Sequence, residues 1–375
     1  ANINVLSPTV QYGLNVFEGI RCYLSSDGKA LNAFRLDNHI DRLYNSCKIL
    51  KLRLPYSKSD LARAISKTLH ANNFHSDISI RVVVLVSEKG NWAYTDNCEL
   101  LISPIEMRSQ FLNDLGMSAC ISSWERISDR SMSPRIKCGA NYMNSRMSQL
   151  EALENGYDLA LLLNRHGYLS EGPGACLFMV KDNCLVTPRS TDSILESITR
   201  DSVIRLAIEE LRMQVQERAI DRTELYVADE IFMCGTAMEI KSICSVDKIE
   251  IGNGTIGPIT TRLKDVYHKA IRGDIEFLQY DWLININLGG CFNGVHAFLP
   301  RMKASGEESH IIATCSTSGF IAYPMLSLYS ASKVGIRGLM TSLRAELAMS
   351  NSNVGVSIVC PGEVTTNIVN STFQS

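Results

Sequence analysis

What this 375-residue chain does not contain removes several classes of protein at once. No apolar run approaches the roughly 18 residues that a membrane-spanning helix needs. The opening Ala1-Asn2-Ile3-Asn4 has neither the basic nor the apolar region of a secretory leader. No block of lysine or arginine interrupts a formal net charge of -2, so there is no electrostatic footprint for nucleic acid or an anionic membrane. The 12 cysteines never form a C-x-x-C pair, and several lie inside apolar runs such as Cys176-Leu177-Phe178-Met179-Val180; they read as reduced core thiols, not as a disulfide or metal framework. Repeats and low-complexity tracts are missing, and glycine and proline never cluster densely enough to mark a disordered linker. The expectation is a globular cytoplasmic chain with small-molecule partners and with no nucleic acid, membrane or metal. The first residue is not Met, which points to a fragment or a processed product.

What is present changes texture near residue 280. Before it, Ile80-Arg81-Val82-Val83-Val84-Leu85-Val86 and Leu159-Ala160-Leu161-Leu162-Leu163 read as buried strands. Turn signals at Asn164-Arg165-His166-Gly167 and Lys181-Asp182-Asn183 predict an antiparallel meander. A helix is expected from near Thr199, with Val203, Ile204, Ala207 and Leu211 on one face. The polar stretch from Glu106 to Leu115 suits a junction between subdomains. After Tyr280 the order of apolar helix, apolar strand, Gly- and Ser-rich loops and helix has the texture of an α/β crossover.

Six segments carry chemistry in the first part. They are Tyr12-Gly13-Leu14-Asn15-Val16-Phe17-Glu18-Gly19-Ile20-Arg21; Arg35-Leu36-Asp37-Asn38-His39-Ile40-Asp41-Arg42-Leu43; Ile136-Lys137-Cys138-Gly139-Ala140-Asn141-Tyr142; Tyr168-Leu169-Ser170-Glu171-Gly172-Pro173-Gly174; Ser197-Ile198-Thr199-Arg200-Asp201; and Cys234-Gly235-Thr236-Ala237-Met238-Glu239. Singly each has a plain explanation: Lys137 a surface lysine, Glu171 a turn carboxylate, Arg42 a helix-face ion-pair partner, Thr199 an N-cap, Tyr12 and Phe17 core aromatics. Together, in this order over about residues 3 to 278, they resemble the class IV pyridoxal-phosphate-dependent aminotransferases of the branched-chain type.

That resemblance implies an α+β, two-subdomain fold type IV aminotransferase, with residues 1-105 as the small subdomain, 106-115 as linker and 116-278 as the large cofactor-binding subdomain. It implies that Lys137 carries pyridoxal 5'-phosphate and acts as general base. Glu171 would face the pyridine nitrogen, Tyr142 would stand by the cofactor, and Arg42, Ile198, Thr199 and Thr236 would hold the phosphate, aided by the N-terminus of the helix that Ser197 opens. Tyr12, Phe17, Gly19, Arg81, Thr236 and Ala237 would line the substrate site. The implied substrates are an amino acid, with branched chains first, and a 2-oxo acid, with 2-oxoglutarate and glutamate as the exchange pair, in a homodimer. A D-amino-acid aminotransferase or an aminodeoxychorismate-lyase-like enzyme is the nearest alternative; Phe17-Glu18-Gly19-Ile20-Arg21 and Met238-Glu239-Ile240 favour the branched-chain side.

The chain departs from that family in places. The strand pair Tyr-x-Arg reads Ser79-Ile80-Arg81, and the later strand reads Ser103-Pro104-Ile105-Glu106 without an aromatic wall, which predicts a wider pocket. Ser197 and Cys176 stand where glycine and asparagine are usual, which bears on phosphate-loop tightness and supporting hydrogen bonds. The chain also begins without the family's first strand region, so an unpaired sheet edge is expected there.

The last ninety or so residues resemble a different family. Tyr329-Ser330-Ala331-Ser332-Lys333 has the Y-x-x-x-K spacing of short-chain dehydrogenases/reductases, which puts both side chains on one helix face. Ser316 matches the family's substrate-polarising serine, Asn287 its helix asparagine, and Thr366, in Pro361-Gly362-Glu363-Val364-Thr365-Thr366, the position that reaches the nicotinamide. The turn T-G-x-x-x-G-x-G that would admit a dinucleotide pyrophosphate has no counterpart in the sequence. Residues 279-375 are therefore expected to be an incomplete α/β Rossmann-like segment that does not bind NAD(P). A short-chain oxidoreductase, or an inactive chimaeric or truncated product, are the competing functional readings.

Overall fold

The structure, a computed structural model, describes residues 3-96, 98-109, 115-275, 283-321 and 326-362, and it divides into two units, Ala1–Asp274 and Ile275–Ser375. In the first unit, helix α1 (Pro8–Tyr12) is capped by Ser7 and closed by Gly13 at φ 66°, a left-handed turn that suits glycine. It leads into β1 (Asn15–Leu24), which joins β2 (Leu31–Ala33), β3 (Ile78–Leu85) and β4 (Glu99–Glu106) in an antiparallel sheet of order β2-β1-β3-β4. Among the described residues β1 is flanked on both sides, whereas β4 at the end of the order pairs with β3 alone and exposes Leu101 and Ile105. β3 spans the strand read from the sequence, shifted slightly toward its start.

Alternation gives this sheet two faces. Ile78, Ile80, Val82 and Val84 are buried with Val16, Ile20, Ile40, Leu43, Leu61 and Ile65, the last four from α2 (Leu36–Ile49) and α3 (Lys58–Asn72). Ser57 and Asp60 form a reciprocal capping box that starts α3. The opposite face carries Phe17, Gly19, Ser79 and Arg81, and that face borders the site.

A larger sheet follows. Its strands are β5 (Met117–Ile121), β6 (Leu159–Leu161), β7 (Cys176–Lys181), β8 (Cys184–Thr187), β9 (Gln214–Glu217), β10 (Glu230–Gly235) and β11 (Glu239–Val246), in the order β6-β5-β11-β10-β7-β8-β9, with β12 (Ile249–Glu250) paired to β11. The predicted meander is corrected in part. Asp182 and Asn183, at φ 50° and 59°, do form a tight β7-β8 hairpin. Asn164-Arg165-His166-Gly167 also reverses the chain, with Leu163 bridging Leu169 antiparallel, but β6 itself pairs in parallel with β5 and not with β7. Helices α4 (Tyr142–Glu154), α5 (Ile198–Glu209) and α6 (Pro258–Arg272) complete the unit. Along α5 the buried apolar face is Val203, Leu206 and Ala207; Leu211 lies past its end. Arg272 ties α6 to the small sheet, with its guanidinium 2.5 and 2.7 Å from the Asp77 carboxylate and 2.8 Å from the Leu24 carbonyl.

In the second unit, α7 (Gly290–Ser305) and α8 (Ser327–Met349) accompany two parallel strands, β13 (Ser309–Thr314) and β14 (Val354–Val359). Ala313, Ile336, Met340, Leu343, Val354 and Val356 form its buried core. Among the described residues, no helix of the chain is long and apolar enough to cross a membrane, and no group of three or more His, Cys, Asp or Glu could hold a metal ion.

Candidate active site

The segment around Lys137 runs beside the start of β1. The Lys137 carbonyl accepts from the Phe17 amide at 2.9 Å, Val16 bridges Cys138, and the Lys137 amide donates to Ser46 Oγ at 3.2 Å. Asn141 fastens the following turn, its Nδ2 donating to the Ser133 and Ile136 carbonyls at 2.9 and 2.8 Å. The backbone is thus held on both sides, and the half-buried amine is aimed into a cavity. Lys137 Nζ lies 2.8 Å from the Tyr142 hydroxyl at the start of α4, and 5.0 Å from the centre of the Phe17 ring.

That cavity, of about 290 Å³, is lined by Phe17, Gly19 and Arg81 from the small sheet and by Lys137, Tyr142, Glu171, Thr236 and Ala237 from the large subdomain; Arg42, Arg126, Cys176 and Ser197 also line it. A Cβ on Gly19 would meet nothing within 4 Å, so the floor beside Arg81 is open. Ser103 pairs with Arg81 and Ser79 with Arg21, so neither strand raises an aromatic wall there.

Glu171 is held where β6 ends: the Leu162 amide donates to its carbonyl at 3.0 Å. Its carboxylate is buried and receives Arg126 Nη2 at 2.6 Å, the Leu195 amide at 3.0 Å and the Cys176 thiol at 3.7 Å. Burial pushes the Glu171 carboxyl above the usual range, and the charges of Arg126 and Lys137 and the Leu195 amide pull it back only in part. Sequence reasoning did not find Arg126. A lone arginine gives no pattern, and the only signal was that a carboxylate buried at a site requires a cation.

The opposite end is rich in anion donors. Ser197 sits at φ -84°, so no glycine conformation is needed, and its hydroxyl accepts the Arg200 amide at 3.2 Å to cap α5. The serine thus supplies a helix cap at the position where glycine is usual in the family. Thr236 lines the cavity and Thr199 Oγ1 stands 3.5 Å from its hydroxyl, whereas the side chains of Ile198 and Thr199 are buried behind the wall. Tyr12 stands outside: it is 45% exposed on α1, edge-on to Trp92 at 5.8 Å.

The residues expected of a dehydrogenase are only partly drawn together. Asn287 Nδ2 donates to Ser332 Oγ at 3.0 Å, and Lys333 Nζ lies 5.4 Å from the Tyr329 ring centre, one helical turn away. Ser316 spends its hydroxyl on the Ser318 amide at 3.2 Å. A groove of about 500 Å³ beside β13 includes Asn287 and Lys333 in its lining, with His310 and Thr314, but not Ser316 or Tyr329. Thr366 lies outside the described residues.

A lysine, a buried carboxylate and an anion-binding end around one cavity between two sheets define a class, and comparison with known proteins gives the same one. Residues 15-246 match the family model described as amino-transferase class IV, and the chain belongs to that family of enzymes. Residues 269-375 match the model described as short chain dehydrogenase.

Within the class, similarity concentrates on one branch. The chain is 36% identical over 278 residues to a probable branched-chain-amino-acid aminotransferase of Aquifex aeolicus, covering 74% of this chain and 89% of that one. It is 36% identical over 293 residues to the branched-chain-amino-acid aminotransferase of Escherichia coli K12, covering 76% and 93%. The crystal structure of a branched-chain amino acid aminotransferase from Thermobaculum terrenum in its PLP form superposes with a TM-score of 0.70 at 38% identity, over 73% of this chain and 90% of that one.

Proposed function

We propose that the cavity holds pyridoxal 5'-phosphate and that the chain moves an amino group between a branched-chain amino acid and 2-oxoglutarate, as a cytoplasmic homodimer. The observation that carries this is the Lys137 amine and the buried Glu171 carboxylate on one cavity whose third side is Arg42, Ser197 and Thr236. The donor set fits the group: the carboxylate suits a pyridinium N–H, the amine a carbonyl carbon, and the cap of α5 with Arg42 a phosphate. When bound, the cofactor draws off the electrons left when the substrate α-proton departs.

Each side chain then has a task. Lys137 would hold the cofactor through its amine and would carry the proton to and from the substrate α-carbon. Tyr142, bonded to Nζ at 2.8 Å, keeps the amine oriented toward the cavity. Glu171 stays charged against a pyridinium because Arg126 fixes one of its oxygens at 2.6 Å. Thr236 and the Ala237 backbone receive the α-carboxylate. Phe17 offers an apolar wall to an aliphatic side chain, and Arg81, stacked 4.4 Å over its ring, offers charge to the second carboxylate of glutamate. The open floor at Gly19 and the small Ser79 and Ser103 favour longer side chains than a walled pocket admits. Tyr12, exposed on α1, would serve the cavity of a second subunit.

The test is direct. Protein supplied with pyridoxal phosphate, leucine, isoleucine or valine, and 2-oxoglutarate should form glutamate, and Lys137→Ala should reduce the rate to background. Equal rates in parent and variant would overturn the proposal. A preference for D-alanine over the L-branched substrates would move the assignment to the D-amino-acid branch.

A further inference from the structure

The side of β1 that faces away from the substrate holds a second arrangement of charge. Phe17 and Gly19 line the cavity, so strand alternation turns Glu18 to the opposite face, under α2. There it is fully buried, yet both carboxylate oxygens are taken. Arg42 Nε donates to Oε1 at 2.7 Å, Arg42 Nη2 to Oε2 at 2.8 Å, and His39 Nδ1 lies 2.8 Å from Oε2. His39 and Arg42 are three residues apart on α2 and so share one helix face. The third Arg42 nitrogen, Nη1, donates to the Glu196 carbonyl at 2.9 Å, beside the cap of α5. Three of the five guanidinium N–H groups are thereby fixed and two remain, on a side chain that lines the cavity.

We propose that Glu18 is a positioning residue for the phosphate end of the site: with His39 bracing it, its carboxylate grips Arg42 fork to fork and sets the direction of the free guanidinium N–H groups. This rests on the cofactor reading above. The physical reason is entropic as much as electrostatic. An arginine side chain has much rotamer freedom to lose, and a bidentate partner takes that loss before any ligand arrives. Burial enforces the arrangement, since a carboxylate at this depth is tolerated only while paired. The same tripeptide, Phe17-Glu18-Gly19, therefore shapes the substrate wall with its outer residues and the phosphate end with its middle one.

A purely electrostatic role predicts the opposite sign. A carboxylate next to Arg42 partly cancels its charge, so removing it should strengthen the attraction for a phosphate. Titrating the cofactor-free full chain with pyridoxal phosphate and with pyridoxal separates the two. The ratio of their dissociation constants reads the phosphate end alone, and general damage to the site weakens both ligands together. Glu18→Gln should cut the preference for the phosphorylated form at least tenfold while pyridoxal affinity stays within twofold. His39→Gln, which leaves Glu18 and Arg42 in place, should cut it about threefold, and it keeps the test usable should Glu18→Gln fail to fold. An unchanged or enlarged preference in the folded variants overturns the positioning role while leaving the cofactor reading intact. A parent protein that does not prefer pyridoxal phosphate over pyridoxal sinks both.

Discussion

The two units of this chain treat charge and apolar surface in opposite ways. The first buries its charges in pairs: Glu18 with Arg42, Glu171 with Arg126, Asp77 with Arg272. Two apolar clusters surround them, one on each sheet. Among the described residues of the second unit there is a single parallel strand pair, and α7 has no fully buried residue; Phe292 and Phe298 are 54% and 61% exposed and Ile312 is 65% exposed. Parallel sheets are found covered on both faces, whereas here His310, Ile312 and Thr314 on one face of β13 are exposed. The lesson concerns what a motif proves. Tyr329 and Lys333 meet because one turn of helix brings them together, and that requires no tertiary structure. Lys137, Glu171 and Arg42 meet only because two sheets and three loops are built correctly, so their convergence says far more about chemistry.

The sharpest way to break this comparison is to remove one cation from each unit. Arg126→Leu leaves Glu171 buried without its partner, and breaking such a pair costs about 3–5 kcal/mol. We expect a comparable loss of stability in urea unfolding, with Glu171 driven to its neutral form and cofactor affinity reduced more than about 100-fold, the equivalent of nearly 3 kcal/mol. Lys333→Leu, on a face that seals no site, should stay within about 0.5 kcal/mol of the parent. Equal penalties would mean that the second unit is as tightly organised as the first.

A smaller effect sharpens the same contrast by pH. Burial would push the Glu18 carboxyl up, but the charge and hydrogen bonds of Arg42, with those of His39, prevail and hold it down at about 2, against an ordinary 4.5. His39, desolvated and beside Arg42, is held below its ordinary value of 6.5 despite Glu18. Both depressions mean that the unfolded chain takes up protons before the folded one, so stability falls as pH falls. The Glu18 contribution is present in full above about 4.5 and is lost between there and about 2. It amounts to roughly 3 kcal/mol at about 1.4 kcal/mol per pH unit of depression. Unfolding measured across that window should show Glu18→Gln weaker than the parent near neutrality and converging with it near pH 2; a constant gap would mean that Glu18 carries no linked proton.

Much of the first unit was legible because its signals are local. Alternation in Ile78–Leu85 fixes which residues face the site, and the order of six short segments identifies the cavity's lysine, carboxylate and phosphate-end arginine. What was not legible depends on distance. Arg126 lies 45 positions before the carboxylate it holds, with no periodicity to mark it. Glu18 was readable as part of a signature, but its bond to Arg42 appears only when α2 packs across β1. The turns at residues 164-167 and 182-183 were legible, but the strand partner of β6 was not, because Leu161 pairs with Ile121, 40 residues earlier. Tyr12 was placed at the substrate wall by its segment, whereas in the folded chain it faces out.

The smallest expected effect is the strictest test of the second unit. Its groove beside β13 has room, about 500 Å³, and holds Asn287 and Lys333, so shape alone does not forbid a nicotinamide. Recognition of a dinucleotide, however, takes most of its specificity from a pyrophosphate seated on a glycine-rich turn at a helix N-terminus, and the sequence has no such turn. The walls that remain mix apolar side chains of α7 and β13 with Asn287, His310, Thr314 and Lys333, and none of these replaces a row of backbone N–H groups around a pyrophosphate. Titration of the full chain with NADH and NADPH, followed by nicotinamide fluorescence, should therefore show no saturable binding below about 0.1 mM, the equivalent of roughly 5.5 kcal/mol. Tyr329→Phe should leave the transamination rate within twofold of the parent. Saturable binding tighter than that limit, abolished by Tyr329→Phe or Lys333→Ala, would show that a site can be assembled from a helix motif and an open strand edge, and the contrast between the two units would fall.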